Sequence, residues 1–253
     1  MIFYFSGCGN SRWVATELGT TLSERVLFIP EELREGGVYE VAENEAIGFV
    51  FPIYAWAAPS IVVQFLRKLC FNRTPSYIYV VCTCGDTVGD AIKAFGKAIT
   101  RRQWHLNAAF SVVMPETYIN LKGFELDTPD KEVAKIEAAR VSLERIVGAV
   151  RDRESVFELS VGSLPWLKTH IVQPIFSAFL ISDRPFRVDD SCTHCGRCFD
   201  VCPVMNIKME QGKPTWQGNC VGCMACYHYC PINAIQYGKQ TKGKGQYYFG
   251  RRK

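Results

Sequence analysis

The sequence lacks any apolar run long enough to cross a membrane as a helix. Its longest, Ile171 to Ser182, is broken by Gln173 and Pro174 and falls short of the roughly 20 residues a span requires. Met1 leads straight into the strand-like stretch Ile-Phe-Tyr-Phe. With no basic segment before an apolar one, no secretory leader is expected. G-x-G-x-x-G is missing, so the usual dinucleotide fingerprint is absent. No set of general acid, base and nucleophile stands out either. Acidic residues are absent from Gly238 onward, where Lys239, Lys242, Lys244, Arg251, Arg252 and Lys253 lie. What remains is 253 residues, 48% hydrophobic and 21% charged. This balance suits a folded chain with one sizeable domain and a small one. A reducing cytoplasm is the expected compartment, because free thiols persist there.

Cysteine supplies the strongest signal. Cys192-x2-Cys195-x2-Cys198-x3-Cys202-Pro203 is followed 28 residues later by Cys220-x2-Cys223-x2-Cys226-x3-Cys230-Pro231. Zinc sites pair two C-x2-C elements around one ion and have no use for a third and fourth cysteine, twice. Disulfides suit short secreted chains. The spacing resembles that of bacterial two-cluster ferredoxins, where the last cysteine of each run serves the other cluster. The resemblance implies one [4Fe-4S] cluster on Cys192, Cys195, Cys198 and Cys230, and a second on Cys220, Cys223, Cys226 and Cys202. Ile207, Ile232 and Ile235 are expected to pack against the clusters and exclude water. His194 and His228 sit at spacer positions and are expected on the surface, while Trp216 is read as packing. Each cluster with its four thiolates carries about −2. Two of them would bring the formal charge of +4 to about zero.

The first 150 residues alternate strand and helix signals. Strands are read at Ile2 to Phe5, Val26 to Ile29, Ala46 to Phe51, Tyr77 to Cys82 and Ala108 to Met114. Helices are read at Asn10 to Thr20, about Pro59 to Leu69 and about Thr87 to Arg101. A last helix starts after Thr128, with Pro129 at its first position and Val133, Ile136, Leu143, Ile146, Val147 and Val150 on one face. This order predicts an α/β fold, a doubly wound parallel sheet of five strands covered on both sides.

The first strand runs into Ser6-Gly7-Cys8-Gly9-Asn10-Ser11 and then a helix. A glycine-rich turn at a helix N-terminus favours a phosphate. The segment resembles the flavodoxin phosphate loop at Ser6, Gly9, Asn10 and Ser11. Cys8 departs from it, standing where the family has a threonine whose hydroxyl binds phosphate. A thiol donates weakly, so backbone amides must supply that contact. Flavodoxin-like sheets bind FMN outside the carboxyl ends of the strands, where strand order reverses. By that resemblance Pro52, Tyr54, Ala55 and Trp56 after the third strand, and Thr83, Cys84, Gly85 and Asp86 after the fourth, complete the flavin site. Trp56 is the first candidate for stacking on the ring and Tyr54 the second; Tyr118, after the fifth strand, is within reach of the same edge but is read as packing. Cys70, Cys82 and Cys84 are read as small buried thiols.

The whole chain resembles the flavodoxin/4Fe-4S ferredoxin fusion proteins common in strict anaerobes. Its expected parts are a flavodoxin-like FMN-binding domain at 1–151, an apolar linker at 152–187, a small α+β ferredoxin domain with two [4Fe-4S] clusters at 188–237, and a basic tail at 238–253. The linker is read as an interdomain brace in preference to a membrane-surface element, with Pro174 interrupting its helix. The tail is read as a solvated end, or else as an arm for an acidic redox partner. The resemblance implies low-potential electron transfer between clusters and FMN, as a carrier or reductase component whose donor and acceptor are unspecified. The alternative is an FMN-dependent reductase of a small molecule. Neither a nucleic-acid partner nor a transmembrane segment is expected.

Overall fold

The computed structural model describes residues 1–251, apart from the side chains of residues 178–180. Arg252 and Lys253 of the expected tail, and the side chains of Phe179 and Leu180 in the linker, lie outside the described residues. The N-terminal elements are β1 (Ile2–Tyr4), α1 (Asn10–Leu22), β2 (Val26–Phe28), α2 (Ile29–Glu35), β3 (Val38–Tyr39), β4 (Ala46–Pro52) and α3 (Ser60–Lys68). They continue through β5 (Cys70–Phe71), β6 (Tyr77–Cys84), α4 (Ala91–Thr100), β7 (Ala108–Val113), α5 (Pro129–Arg151) and β8 (Phe157–Glu158). The main sheet runs β2-β1-β4-β6-β7-β8 and every pairing in it is parallel. Its five longer strands have the flavodoxin-like order 2-1-3-4-5. The two-residue β8 adds a sixth strand that no alternating pattern announced. β6 is buried at all eight positions, as expected of a central strand covered on both faces.

One face of the sheet packs Phe3, Phe49, Phe51 and Val80 against Phe65 and Leu66 of α3 and Phe95 of α4. The other packs Ile2, Val50, Val81 and Phe110 against Val14 and Leu18 of α1 and Leu143 and Ile146 of α5. Two expectations change here. Val133 is 61% exposed, and the buried residues of α5 begin only at Ala139. Cys70 is exposed, since its strand pairs only with β3 at the margin. The β4–β6 register sets Pro52 beside Thr83, so the loops that follow leave the same edge together.

The linker forms α6 (Pro165–Leu167), a π-helical turn (Lys168–Val172) and α7 (Gln173–Leu180). Pro174 does not interrupt the run. It sits in the first turn of α7, after the Gln173 amide has bonded to Lys168 O, and the wider π turn lets the missing N–H pass. Thr169, buried, donates to Trp56 O (3.1 Å) and accepts from the Asp90 amide (2.9 Å). Phe176 packs on Tyr118 (5.6 Å between centroids). The outer side leaves Trp166, Leu167, Ile171 and Ile175 exposed. No described helix is long and apolar enough to cross a membrane.

The C-terminal unit contains β9 (Phe186–Val188), α8 (Arg197–Asp200), β10 (Ile207–Glu210), β11 (Lys213–Trp216), α9 (Ala225–His228) and β12 (Ile235–Tyr237). β10 pairs antiparallel with β11, and β12 with β9. The cysteine repeat is also a backbone repeat. The helices α8 and α9 are 28 residues apart, and left-handed residues recur at the same interval, His194 and Gly222, Gly196 and Met224, Met205 and Asn233. Trp216 stacks on Phe186 at 5.0 Å.

Over its described residues, 238–251, the tail is an ordered strap, not a solvated end. Lys244 donates from Nζ to Ile119 O and Leu121 O (both 3.1 Å) and to Phe124 O, and pairs with Glu125. Thr241 and Tyr247 are buried, while Lys239, Lys242 and Arg251 stay exposed. His228, expected on the surface, is 1% exposed. It donates from Nε2 to Thr117 O (2.8 Å) and accepts the Tyr247 amide at Nδ1 (3.2 Å). Burial pushes its pKa down to about 4, so the ring is a neutral clasp between both units and the strap. Lys244→Met should lower the unfolding free energy by about 2 kcal/mol, because three carbonyls lose a charged donor. Anaerobic denaturant titration measures this; an unchanged midpoint would show that the strap contributes nothing.

Candidate cofactor site

A cleft opens at the carboxyl edge of the sheet, where strand order reverses between β1 and β4. Its enclosed space is about 90 Å³, and its mouth opens to solvent. Five of the six phosphate-loop residues line it, Ser6, Gly7, Cys8, Asn10 and Ser11. Gly9 faces a neighbouring groove instead. Ser6 Oγ accepts the Gly9 amide (3.1 Å), and Ser11 Oγ pairs with Thr83 Oγ1 (2.8 Å), tying the loop to the end of β6. Asn10 has both ends of its carboxamide engaged, donating to Pro115 O (3.0 Å) and accepting from Tyr247 Oη (2.9 Å). Its side chain therefore shapes the loop. The Cys8 thiol, raised by burial, points at Cys223 O (3.3 Å). That leaves backbone amides at the start of α1 to meet an anion.

The loop after β4 differs from expectation. Pro52, Tyr54 and Ala55 line the cleft, but Trp56 does not. Ala55 and Trp56 both have positive φ (45° and 59°), in a tight turn closed by hydrogen bonds between Tyr54 and Ala57. This backbone swings Trp56 outward. Its Nε1 donates to Thr87 (3.3 Å), and its ring lies under Lys168 of the linker. Trp56 is thus a linker contact, and Tyr54 is the aromatic of this loop on the cleft.

From the end of β6 and the loop after it, Thr83, Cys84 and Gly85 line the cleft while Asp86 is exposed outside it. Burial, with Asp86 and Glu116 nearby, pushes the Cys84 thiol up to about 12. Gly85 lies against the Glu116 carboxylate, which would have to shift for a Cβ there, 1.9 Å from Oε2.

A fourth wall was read in the sequence only at Tyr118. The loop after β7 contributes Glu116, Thr117, Tyr118 and Asn120. The Glu116 amide donates to Asp127 Oδ2 (2.9 Å), which also takes Lys135 (2.6 Å), and Lys135 donates to Gly85 O (3.0 Å). Burial opposes ionisation of Asp127, but the hydrogen bonds from Lys131, Lys135 and the Glu116 amide prevail and hold its carboxyl below the usual range. Asn120 is 4% exposed and its Oδ1 has no hydrogen-bond partner. An unmet buried acceptor costs about 1–3 kcal/mol. The loop is irregular and polar, so neither periodicity nor a motif marks it.

The cysteine runs lie close together in the C-terminal unit. Cys192, Cys195, Cys198 and Cys230 line one small cavity with Ile232 and Ile235, while Ile207 is buried in the core beside Cys198. Burial, then the neighbouring Cys230 and Cys192 thiols, pushes Cys198 up to about 11. Cys220 is raised to about 11 by burial, with Asp183 and Cys202 adding to it. Cys226 is raised chiefly by burial and also feels Cys220 and Cys202. Repeat symmetry extends to the sulfurs. The Asn206 amide donates to Cys202 Sγ and the Ala234 amide to Cys230 Sγ, both at 3.2 Å. Such bonds tune thiolate-bound clusters. Among the described residues no group of His, Cys, Asp and Glu is arranged to hold a single metal ion.

The two sites meet. Gly222, Cys223 and Met224 form part of the cleft wall. A Cβ on Gly7 would stand 2.6 Å from Cys223 Cβ and 2.9 Å from Cys223 O. Only glycine allows this approach of the phosphate loop to the second cysteine run.

Residues 189–235 match the family model of the 4Fe-4S dicluster domain. No curated protein matches the sequence. Similar solved structures include a protein described as a flavoprotein from Bacteroides uniformis (14% identity, TM-score 0.36, 44% of this chain and 88% of that one). Another is the Trp repressor binding protein from Bacillus subtilis (12%, 0.37, 56% and 94%). A third is an NAD(P)H:quinone oxidoreductase from Methanothermobacter marburgensis (16%, 0.33, 60% and 94%). At these scores the fold is defined by strand order and not by the likenesses. The chain joins a flavodoxin-like α/β sheet to an iron–sulfur unit of the dicluster type. Electron transfer is its general function.

Gly7→Ala should destabilise the junction by about 1–3 kcal/mol, the usual cost of overpacking. Thermal unfolding under anaerobic conditions reads the loss; an unaltered transition would show that the loops do not meet so closely.

Proposed function

We propose that the cleft holds FMN, that the two cysteine quartets hold two [4Fe-4S] clusters, and that the protein relays electrons between a redox partner and its flavin. The observation that carries this reading is the shared wall, with Cys223 of one quartet lining the same cleft as the phosphate loop. When bound, the clusters supply one-electron transfer and FMN supplies one- or two-electron transfer. The chain's residues supply position and dryness. Amides at the start of α1 would hold the phosphate. Tyr54 and the Thr83–Gly85 loop would flank the ring, and Glu116, fixed by the Thr117 and Tyr118 amides (3.1 and 2.9 Å), keeps a carboxylate at the cleft. Cys192, Cys195, Cys198 and Cys230 would hold one cluster, and Cys220, Cys223, Cys226 and Cys202 the other. Phe176 and Ile181 from the linker close the cleft's outer side and limit water.

Anaerobic preparation followed by iron, sulfide and flavin analysis tests the cofactor set. About eight iron, about eight sulfide and one FMN per chain are expected. Cys230→Ser should damage the cluster of the first run and spare the second. Zinc without acid-labile sulfide would overturn the reading, and loss of the second run's cluster in Cys230→Ser would overturn the crossed ligation.

A further inference from the structure

We infer that Asn120 is a specificity-determining residue of the cleft, accepting a hydrogen bond from an N–H or O–H of the flavin. This rests on the FMN reading above.

Elimination among the fully buried polar atoms of the cleft leaves Asn120 Oδ1 and Tyr118 Oη without a partner. Asn10 is bonded at both ends. Ser11 and Thr83 satisfy each other, Ser6 takes the Gly9 amide, and Cys8 is directed at Cys223 O. Glu116 Oε1 takes two backbone amides. Asn120 is buried to 4% exposure, lines the cleft, and keeps Oδ1 without any partner. Tyr118 Oη is also unpaired, but a hydroxyl both donates and accepts and so selects nothing by itself.

Buried polar atoms in folded proteins are almost always matched, and a carboxamide oxygen only accepts. Its partner must therefore be a donor. A phosphate is excluded, because its oxygens are acceptors as well. FMN offers donors of two kinds, the ring imide N3–H and the ribityl hydroxyls. Either would complete Asn120, and the two are separable by analogue.

The experiment uses the full chain with its clusters intact and its flavin removed. FMN, N3-methyl-FMN and an FMN analogue lacking the ribityl hydroxyls are titrated in, and quenching of flavin fluorescence gives each affinity. Wild type should bind FMN about tenfold more tightly than one of the two analogues. Loss with N3-methyl-FMN assigns the ring edge, and loss with the other assigns the ribityl chain. Asn120→Ala should bind FMN about tenfold more weakly and erase that discrimination, with cluster absorbance unchanged. Equal wild-type affinity for all three ligands would overturn the inference without any variant. Discrimination that persists in Asn120→Ala would overturn it too. In both cases the FMN reading survives. If wild type binds none of the three, the FMN reading falls and the inference with it.

Discussion

The structure depends on a contact in which a side chain is missing. Gly7 lies against Cys223 so closely that a single added carbon would strike both the cysteine side chain and its backbone. Through it the phosphate loop of the sheet and the second cysteine run share one wall of one cleft. Electron transfer falls steeply with separation, so under the proposed relay this approach is what would let the two units act as one device. The Cys8 thiol, which points at Cys223 O across the same junction, accounts for a cysteine where the resembling loop has threonine. The residue serves the interface.

Such a junction has to be held, and the chain holds it from several sides with buried polar pairs. Thr169 ties the linker to the loops after β4 and β6. His228 ties the iron–sulfur unit to Thr117 and to the strap. The strap returns to the phosphate loop, where the Phe249 amide donates to Cys8 O (2.9 Å) and its ring stacks on Trp13 (4.8 Å). Each anchor joins residues far apart in sequence. Each matches donors and acceptors that would otherwise be buried alone, so opening the junction exposes or orphans several groups at once.

That remoteness explains what the sequence could and could not disclose. Local signals were legible. The paired cysteine runs, the glycine-rich turn before α1 and the strand–helix alternation name the architecture because each lives within a few residues. Trp56 was misplaced, because its direction follows from two successive left-handed residues and from Thr169, 113 residues away. His228 looked like a spacer, because its partner Thr117 is 111 residues away. The tail looked like a charged end, although Lys244 reaches carbonyls more than 120 residues upstream. Asn120 gave no signal at all, since an unmet acceptor is a property of its surroundings and not of its neighbours in sequence.

The central claim is that charge passes between the iron–sulfur unit and the flavin cleft inside one chain. The direct measurement is an anaerobic stopped-flow reduction of the fully loaded protein by a one-electron donor, following iron–sulfur and flavin absorbance together. The account predicts that flavin bleaching follows cluster reduction at a rate independent of protein concentration. A bound flavin that stays fully oxidised beside reduced clusters, with the driving force favourable, would contradict it.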